Sequence, residues 1–446
     1  MAAENVPILT KTRPAMNILL INPPNCGRSI PEERYGITSI KQIFRGEPLA
    51  LETLAGNLPG HEVRIVDLKA RPDGLDEALR RFTPELIGFT AVTCEANWVR
   101  AQAQRLKAEC GATLVVGGIH ASNDPEFFNA CGIDYVVLGL GKRSLRELVE
   151  AIETGADTAS IPGIARTNPG RPLRWLPRAY SRADLVEEQP PRYDLVAADR
   201  DRYTLAALGV TLGFVSSAFG CPYDCSFCCI SGLTGGRYLS ASIATVIRDI
   251  RLLTDVPVIR LVDANTFGNP EHARALCRAI VAAGIDKTFL ADVRADTVVR
   301  HPDLLREWRE AGLRSVVIGF EELSDQGLDL LNKSVSAAAN LEAIAILHEL
   351  GINIVGDFIV SPDYVEEDFA RLAAYVAEQR IGLPIYTVLT PLPGTPLHRQ
   401  LRKRIVNHDL DYYTLANAVT PTRLDEGEFY RHFTALYQAG HKQVKL

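Results

Sequence analysis

The sequence lacks the features that would place it in a membrane, on a nucleic acid or in a disulfide scaffold. Its 446 residues contain no apolar run approaching the roughly 18 to 20 residues of a membrane-spanning helix. Lysine and arginine (48) are outnumbered by aspartate and glutamate (54), and the net charge of -6 gives no electrostatic basis for binding nucleic acid. Nine cysteines are too few for a disulfide-stapled fold of this length. The sequence therefore predicts a globular protein of two or three domains, without a membrane span or a nucleic-acid partner.

Three of the nine cysteines are concentrated in one short stretch, residues 220–228. Cys221, Cys225 and Cys228 have C-x3-C-x2-C spacing, and the aromatic Phe227 precedes the third. Thiolates hold iron–sulfur clusters, and three on one loop can ligate three irons of a [4Fe–4S] cluster, leaving the fourth open to a small chelating molecule. Structural zinc normally takes four ligands in two pairs, and no second Cys or His pair stands at such spacing. The stretch predicts a cluster site in a reducing cytoplasm, with Cys229 as a small core residue.

The chain around and after this stretch alternates between short apolar runs and helical patterns. Six runs are short enough for strands buried on both faces, at residues 213–217, 258–262, 288–292, 315–319, 352–359 and 385–389. Six strands are too few for a closed eight-stranded barrel, so the pattern favours a partial (β/α)6 barrel over residues 206–395. Residues 396–446 are predicted to form a helical cap.

The N-terminal half shows the same alternation, with apolar runs at residues 18–21, 63–66, 86–89, 114–116 and 135–138. This predicts an α/β fold, a doubly wound parallel sheet over residues 16–155, whose ligands bind at the carboxyl ends of the strands. Residues 1–15 are interpreted as a disordered leader. The proline-rich residues 156–205 are interpreted as a linker, with short strands at 163–166 and 173–175.

The cysteine loop with Phe227 resembles the signature of the radical SAM superfamily. The resemblance implies that a [4Fe–4S] cluster cleaves S-adenosylmethionine to a 5′-deoxyadenosyl radical, which takes hydrogen from an unactivated carbon of a small-molecule substrate. A flavodoxin- or ferredoxin-type donor is implied as the electron source. Polar residues follow the second, third and fourth barrel strands, and the positions matching the family's S-adenosylmethionine contacts are Asp263, Arg294 and Glu321, with Asn265 beside them. For each, the alternative is a helix cap or a surface ion pair.

The N-terminal half resembles the cobalamin-binding domain that precedes many radical SAM barrels. This implies that cobalamin contacts fall on the loops after the strands, at Pro23, Asn25, Gly117, Gly118 and His120. The D-x-H-x-x-G motif of His-ligated cobalamin proteins is absent. Residues 139–142 read Gly-Leu-Gly-Lys where the subclass commonly reads Gly-Glu-Gly-Glu, which leaves open whether the domain has kept its fold and lost its cofactor.

Within this subclass the chain is similar to the hopanoid C-3 methylase type, which implies cobalamin-dependent C-methylation of a small molecule, sugar or lipid-like, whose identity the resemblance does not carry over. The alternative is a cobalamin-independent dehydration or deoxygenation of a diol, as in the aminoglycoside radical SAM dehydratase and deoxygenase type, with a sugar as substrate. In that reading Glu322, or a tyrosine, serves as the acid or base. A sensor that uses the cluster or cobalamin is a third possibility, supported by no partner segment or nucleic-acid module in the sequence.

Overall fold

The computed structural model describes residues 15–37, 46–181, 185, 189–205 and 210–440. Of the leader predicted over residues 1–15, all but the last residue lies outside the described residues. The division of the chain at residues 155, 205 and 395 remains a prediction.

The first half of the chain folds into a six-stranded sheet with helices packed on it. Its strands are β1 (Asn17–Asn22), β2 (Glu62–Asp67), β3 (Leu86–Thr90), β4 (Thr113–Gly117), β5 (Tyr135–Val137) and β6 (Ile164–Arg166). Its helices are α1 (Ile30–Tyr35), α2 (Leu49–Gly56), α3 (Gly74–Arg81), α4 (Ala96–Cys110), α5 (Ile119–Asn123) and α6 (Lys142–Thr154). The strand order is β2-β1-β3-β4-β5-β6, and every pair is parallel except β5 with β6. The predicted doubly wound parallel sheet is confirmed.

One predicted strand is wrong. Residues 173–175 form no strand, because the backbone N–H of Leu173 donates to the Glu126 carboxylate (2.8 Å) instead of a neighbouring strand. The other short strand, β6, forms as predicted and pairs along the edge of the first sheet, so the proline-rich segment is packed onto the N-terminal half.

The second half forms a curled, open sheet. Its strands are β7 (Thr204–Leu205), β8 (Val210–Val215), β9 (Ala218–Phe219), β10 (Leu239–Ser240), β11 (Val258–Leu261), β12 (Thr288–Val293), β13 (Leu313–Glu321), β14 (Asn353–Val360) and β15 (Leu383–Val388). The main sheet has the order β15-β14-β13-β12-β11-β8-β7, with six successive parallel strands and an antiparallel β7 at one edge. The six predicted strands of the partial barrel are therefore confirmed. Strands β9 and β10 pair separately and flank the cysteine loop.

Helices connect the strands of this half and follow the last strand. They are α7 (Ser231–Thr234), α8 (Ile243–Leu252), α9 (Pro270–Ala282), α10 (Ala295–Arg300), α11 (Pro302–Glu310), α12 (Asp325–Leu330), α13 (Ala337–Glu349), α14 (Glu366–Glu378), α15 (Pro396–Leu401) and α16 (Glu426–Gly440). The last helix packs on α14 and β15, where the buried Tyr437 hydroxyl contacts the backbone of Tyr386. Within the described part of the chain, no helix combines the length and apolar character that crossing a bilayer requires.

Candidate active site

The cysteine loop lies between β9 and α7, at the carboxyl end of the first parallel barrel strand. Gly220 begins the loop with φ = 75°, and a side chain there would collide with the carbonyl of Arg237, so the turn requires glycine. The three predicted cluster cysteines are half-buried free thiols. Burial raises the pKa of the Cys228 thiol to about 12, so metal ligation is what would stabilise its thiolate.

Hydrogen bonds from distant parts of the barrel hold this loop. The N–H of Ser226 donates to the carbonyl of Leu331 (2.9 Å), and the carbonyl of Ser226 accepts from the N–H of Leu397 (2.8 Å). The side-chain amide of Asn332 donates to the carbonyl of Asp224 (3.1 Å). The cysteine positions are therefore fixed by the turn after α12 and the start of α15.

Asp263 holds the approach to the loop. Its carboxylate accepts from the N–H groups of Ser217 (2.7 Å) and Ala218 (2.9 Å) and from the Ser217 hydroxyl (2.5 Å), and the residue is 3% exposed. These bonds use both carboxylate oxygens to fix the turn between β8 and β9. The predicted contact of Asp263 with S-adenosylmethionine stays a prediction, beside this structural role.

Asn265 lies two residues further along the same edge and is 1% exposed. Its side-chain oxygen and nitrogen have no hydrogen-bond partner among the described residues. A buried amide without partners is costly, which makes Asn265 a suitable contact for a ligand.

Arg294 lies directly against the cysteine loop. Its guanidinium carbon is 3.5 Å from the ring centroid of Tyr223, a loop residue, in a cation–π contact. It donates to the carboxylate of Asp296 (2.9 Å) and to the carbonyl of Lys333 (2.7 Å). The arginine is thereby held against the cysteine loop.

The two adjacent glutamates predicted at the end of β13 point to different surroundings. Glu321 follows a bulge, has φ = 64°, and accepts from the buried Lys333 ammonium (2.7 Å). Glu322 instead accepts from the Tyr364 hydroxyl (2.9 Å), against the segment leading into α14, and burial raises its pKa. The structure therefore groups Glu321, and not the predicted acid or base Glu322, with the site residues.

Sequence reasoning missed three groups near Glu321. Besides Lys333, two carboxylates stand on barrel strands: Asp292 pairs with Arg260, and burial raises the pKa of Asp357 well above the ordinary range, with the charges of Glu321 and Asp292 adding to the effect. Asp357 is the single carboxylate within the largely apolar β14, a signal that the sequence did contain.

An apolar cavity of about 390 Å³ lies between the carboxyl edge of the first sheet and the barrel. Gly117, Gly118 and residues 139–142 contribute the sheet side of its wall, and helices α2 and α6 contribute leucines. The barrel side comes from Ser216, Phe219, Leu233 and Val262, which lie next to β8, β11 and the cysteine loop. Gly118 has φ = 96°, and an added Cβ would lie 2.6 Å from the Thr90 hydroxyl oxygen.

The other residues predicted to contact cobalamin lie elsewhere. His120 is 1% exposed and stacks edge-on against Phe127 and Phe128, with ring centroids 5.3 and 5.6 Å away. Its ring nitrogens have no partner among the described residues, and burial lowers its pKa to about 4. Pro23 is buried and Asn25 exposed, and neither is part of the cavity wall. Of the five predicted residues, the structure brings only Gly117 and Gly118 to the cavity.

Helix α5 joins the two halves at this point. Its last residue, Asn123, donates from its side-chain amide to the carbonyl of Cys229 (2.9 Å), the residue after the third cluster cysteine. Gly232 and Gly394 approach Asn123 so closely that a Cβ on either would lie 2.5 to 2.6 Å from its atoms. The sheet edge is thus tied directly to the cysteine loop.

Comparison with known proteins agrees with this arrangement. Residues 40–149 match the B12 binding domain, and residues 215–376 match the radical SAM superfamily. The chain is 29% identical to the hopanoid C-3 methylase of Methylococcus capsulatus, over 90% of this chain and 78% of that protein. It is 28% identical to an uncharacterized methyltransferase of Pyrococcus horikoshii, over 86% of this chain and 82% of the relative. Its fold is that of the radical S-adenosylmethionine methyltransferase TsrM from Kitasatospora setae (TM-score 0.71, 19% identity, covering 97% of this chain and 91% of that one).

The residues present fit the cofactors of the two families. Three thiols on one braced loop suit a cluster with one open iron, and the unpartnered amide of Asn265 stands at the same edge. The glycine-lined, apolar cavity suits the nucleotide tail of cobalamin, because backbone without side chains admits a bulky ligand closely. The chain is therefore an enzyme of the radical SAM superfamily that carries a B12-binding domain, with a [4Fe–4S] cluster, S-adenosylmethionine and cobalamin as its cofactors.

Proposed function

We propose that this enzyme is a cobalamin-dependent methyltransferase that methylates an unactivated carbon of a small-molecule substrate. The observation that carries the proposal is the shared cavity, whose wall combines the glycine edge of the B12-binding domain with residues beside the cysteine loop. A methyl donor and a radical source must both reach one substrate carbon, and a common cavity satisfies that requirement. The names of the two relatives compared above, a methylase and a methyltransferase, support the same reaction.

When bound, the cluster with S-adenosylmethionine supplies a hydrogen-abstracting radical, and cobalamin supplies the methyl group. The chain's own residues hold and orient these groups. Cys221, Cys225 and Cys228 ligate the cluster, and we assign Asn265 and Arg294 to the polar groups of S-adenosylmethionine. Phe227, adjacent in sequence to the third cluster cysteine, would lie beside the bound cluster and help to exclude water from it.

We assign Glu321 to S-adenosylmethionine as well, because its ion pair with Lys333 orients the carboxylate. Both side chains are 9% exposed, so the carboxylate is held in one position by a charge-assisted bond. We further propose an electron donor of the flavodoxin or ferredoxin type and a cytoplasmic location, because the exposed edge of a cluster needs reducing surroundings.

For the alternative, radical dehydration of a sugar diol, the acid or base is Glu322 or a tyrosine. Glu322 accepts a hydrogen bond from the Tyr364 hydroxyl (2.9 Å), and its role as acid or base stays a prediction. No contact of the described residues favours this reaction over methylation.

The test is anaerobic reconstitution with iron, sulfide and hydroxocobalamin, followed by desalting. We expect about four irons per chain for one [4Fe–4S] cluster, with stoichiometric cobalt. With dithionite and methyl-labelled S-adenosylmethionine, label should enter members of a panel of polycyclic lipids and aminosugar diols. Iron without cobalt, or a dehydrated product without label, would overturn the proposal.

A further inference from the structure

The cysteine loop has an outer side that a reductant can approach. Pro222 and Asp224 of the loop are exposed, whereas the three cluster cysteines are half-buried. Two segments flank the loop, because the N–H of Ser226 bonds to the carbonyl of Leu331 and its carbonyl bonds to the N–H of Leu397, near the start of α15. What these two flanks expose decides which partner can reach the cluster.

The flank at α15 is basic. Residues 379–408 contain no aspartate or glutamate, although the whole chain has 54 of these residues. The run Arg-Gln-Leu-Arg-Lys-Arg at 399–404 places four exposed cations at the end of α15 and just after it. A rise of about 1.5 Å per helical residue puts Arg399 only about 3 Å further along the helix axis than Leu397. The run therefore begins within one helical turn of the residue that braces the loop.

Three of these four cations keep an unneutralised charge. Arg404 forms a two-point ion pair with the carboxylate of Asp363 (2.7 and 3.1 Å). The guanidinium of Arg399 donates to a backbone carbonyl (2.9 Å), which is a neutral group. Within the part of the chain that the structure describes, Arg399, Arg402 and Lys403 have no carboxylate partner. Such a local excess of positive charge on an acidic chain attracts a partner with an acidic surface.

The other flank offers an apolar contact. Leu330, next to Leu331, is 73% exposed, which is more than any other large hydrophobic side chain of the described residues. Asp329 beside it and Asp224 in the loop are exposed carboxylates. These two carboxylates direct an acidic partner toward the α15 side. Transient electron-transfer complexes have small interfaces, and an apolar contact with charges around it suffices for one.

We propose that Arg399, Arg402 and Lys403 dock an acidic electron-transfer protein, which delivers one electron to the cluster from the α15 side of the loop. The donor protein is oxidised by one electron and the cluster is reduced by one, and the step needs no proton and breaks no bond. The inference rests on the proposed function and places the donor of that function on the surface of the chain. Attraction between exposed charges acts on association and weakens with salt, which gives the docking surface a measurable signature.

The test compares a protein donor with a small one. Reconstituted full-length protein is assayed for 5′-deoxyadenosine with reduced flavodoxin, which is acidic, and separately with dithionite, which needs no docking surface. Binding of oxidised flavodoxin, measured by isothermal titration calorimetry, is a readout independent of activity. Arg402→Gln/Lys403→Gln removes two charges and Arg402→Glu/Lys403→Glu reverses them, while Arg399 keeps its bond to the turn before α15.

At low ionic strength, we expect flavodoxin binding and the flavodoxin-supported rate to fall roughly threefold in the first variant and roughly tenfold or more in the second. The rate with dithionite should stay within about twofold of wild type, because a small reductant does not depend on steering by these charges. Raising the ionic strength to about 0.2 M should shrink the differences between wild type and variants, since exposed charges are then screened.

Arg278→Gln/Arg306→Gln is the matched control for net charge. Both arginines are exposed, lie on α9 and α11, and have no carboxylate partner among the described residues. This variant loses the same two charges and should change neither flavodoxin binding nor either rate.

The outcomes separate this inference from the proposed function. If wild-type protein cleaves no S-adenosylmethionine with dithionite, the proposed function itself fails. Equal losses with both reductants, equal losses in the control, unchanged flavodoxin binding in both variants, or a wild type that works with dithionite but binds no flavodoxin would each refute the docking assignment and leave the proposed function standing. Binding of phosphatidylglycerol vesicles that the variants lose, with flavodoxin unaffected, would assign the basic run to a lipid surface instead. Should the double variants fail to fold, Arg402→Gln alone and the salt dependence of the wild type decide the question.

Discussion

The cysteine loop and the cavity at the sheet edge serve neighbouring cofactors by opposite means. The loop and the turn before it are held by directed hydrogen bonds, such as those that the Leu331 carbonyl accepts from Ser226 and the Asp263 carboxylate accepts from Ser217. The cavity is defined by the absence of side chains at Gly117 and Gly118 and by apolar walls. A metal cluster requires particular ligand atoms, whereas a large organic cofactor requires room and many weak contacts. Substitutions in the loop should therefore affect the cluster, and substitutions at the cavity should affect cobalamin binding.

The largest effect is expected at the loop. Cys228→Ala removes one of three cluster ligands, so iron content and reductive cleavage of S-adenosylmethionine should both fall more than a hundredfold. Iron analysis and 5′-deoxyadenosine formation measure this. Cys229→Ala is the matched control, because that neighbouring thiol is not a predicted ligand and its contact with Asn123 uses only the backbone carbonyl. Equal losses in both variants would contradict the ligand assignment.

At the cavity, Gly118→Val should weaken cobalamin binding and leave the cluster in place. The new side chain would meet the Thr90 hydroxyl (2.6 Å) and the Ala91 nitrogen (2.7 Å). We expect at least tenfold weaker hydroxocobalamin binding, with unchanged iron content. Gly111→Val supplies the control, since Gly111 also has positive φ (66°) and nothing lies within 4 Å of its Cβ position. If both variants lose cobalamin equally, the cause is backbone strain at a residue with positive φ and not the clash of the new side chain at residue 118.

A smaller effect is expected when one brace of the loop is weakened. Asp263→Asn replaces an oxygen that accepts hydrogen bonds with an N–H₂ group, which should destabilise the protein by about 1–3 kcal/mol. Chemical denaturation measures the loss, and the cluster-loaded variant should bind S-adenosylmethionine with unchanged affinity. Asp303→Asn, at a largely exposed carboxylate paired with Arg274, should change stability little. A tenfold loss of S-adenosylmethionine affinity without destabilisation would instead support the sequence-based assignment of Asp263 to the cofactor.

The smallest effect is expected at His120. Its pKa, about 4 in the folded state, lies below the usual value near 6.5, so the unfolded chain binds the proton more readily. The contribution of neutral His120 to the free energy of unfolding is thus complete above about pH 6.5 and is lost as the pH falls toward 4. His120→Phe should be near wild type at pH 7.5 and relatively more stable at pH 5, by urea unfolding. His348→Phe, which loses a bond to the Gln379 carbonyl (3.0 Å), should be less stable than wild type at pH 7.5. Weaker cobalamin binding by His120→Phe would instead support the sequence-based prediction that His120 contacts cobalamin.

The sequence predicted features that follow from local patterns and missed features that depend on contacts between distant parts of the chain. The strands of both sheets and the cysteine loop follow from local apolar runs and spacing. The directions of Glu321 and Glu322 do not, because a bulge and a positive φ set which of the two neighbours faces Lys333. The ring of His120 was assigned to a ligand, yet two phenylalanines several residues later enclose it.

Apart from Gly117 and Gly118, the wall of the cavity could not be predicted. Its wall is assembled from α2, four strands of the first sheet, α6 and the start of the barrel, which lie far apart in sequence. The substitution at residues 139–142 was visible in the sequence as a departure. Only the structure shows that Lys142 is part of the cavity wall.

The contact of Asn123 with Cys229, Gly232 and Gly394 has a consequence for how such enzymes can diversify. Three segments meet there without room for a larger side chain, so the spacing between the two cofactor sites is set at this seam. A B12-binding domain exchanged from a relative would function only if it brought a residue that fits between those two glycines. The two domains should therefore be inherited as a pair, and chimeras between distant relatives should lose the coupling of the cofactors before they lose either fold.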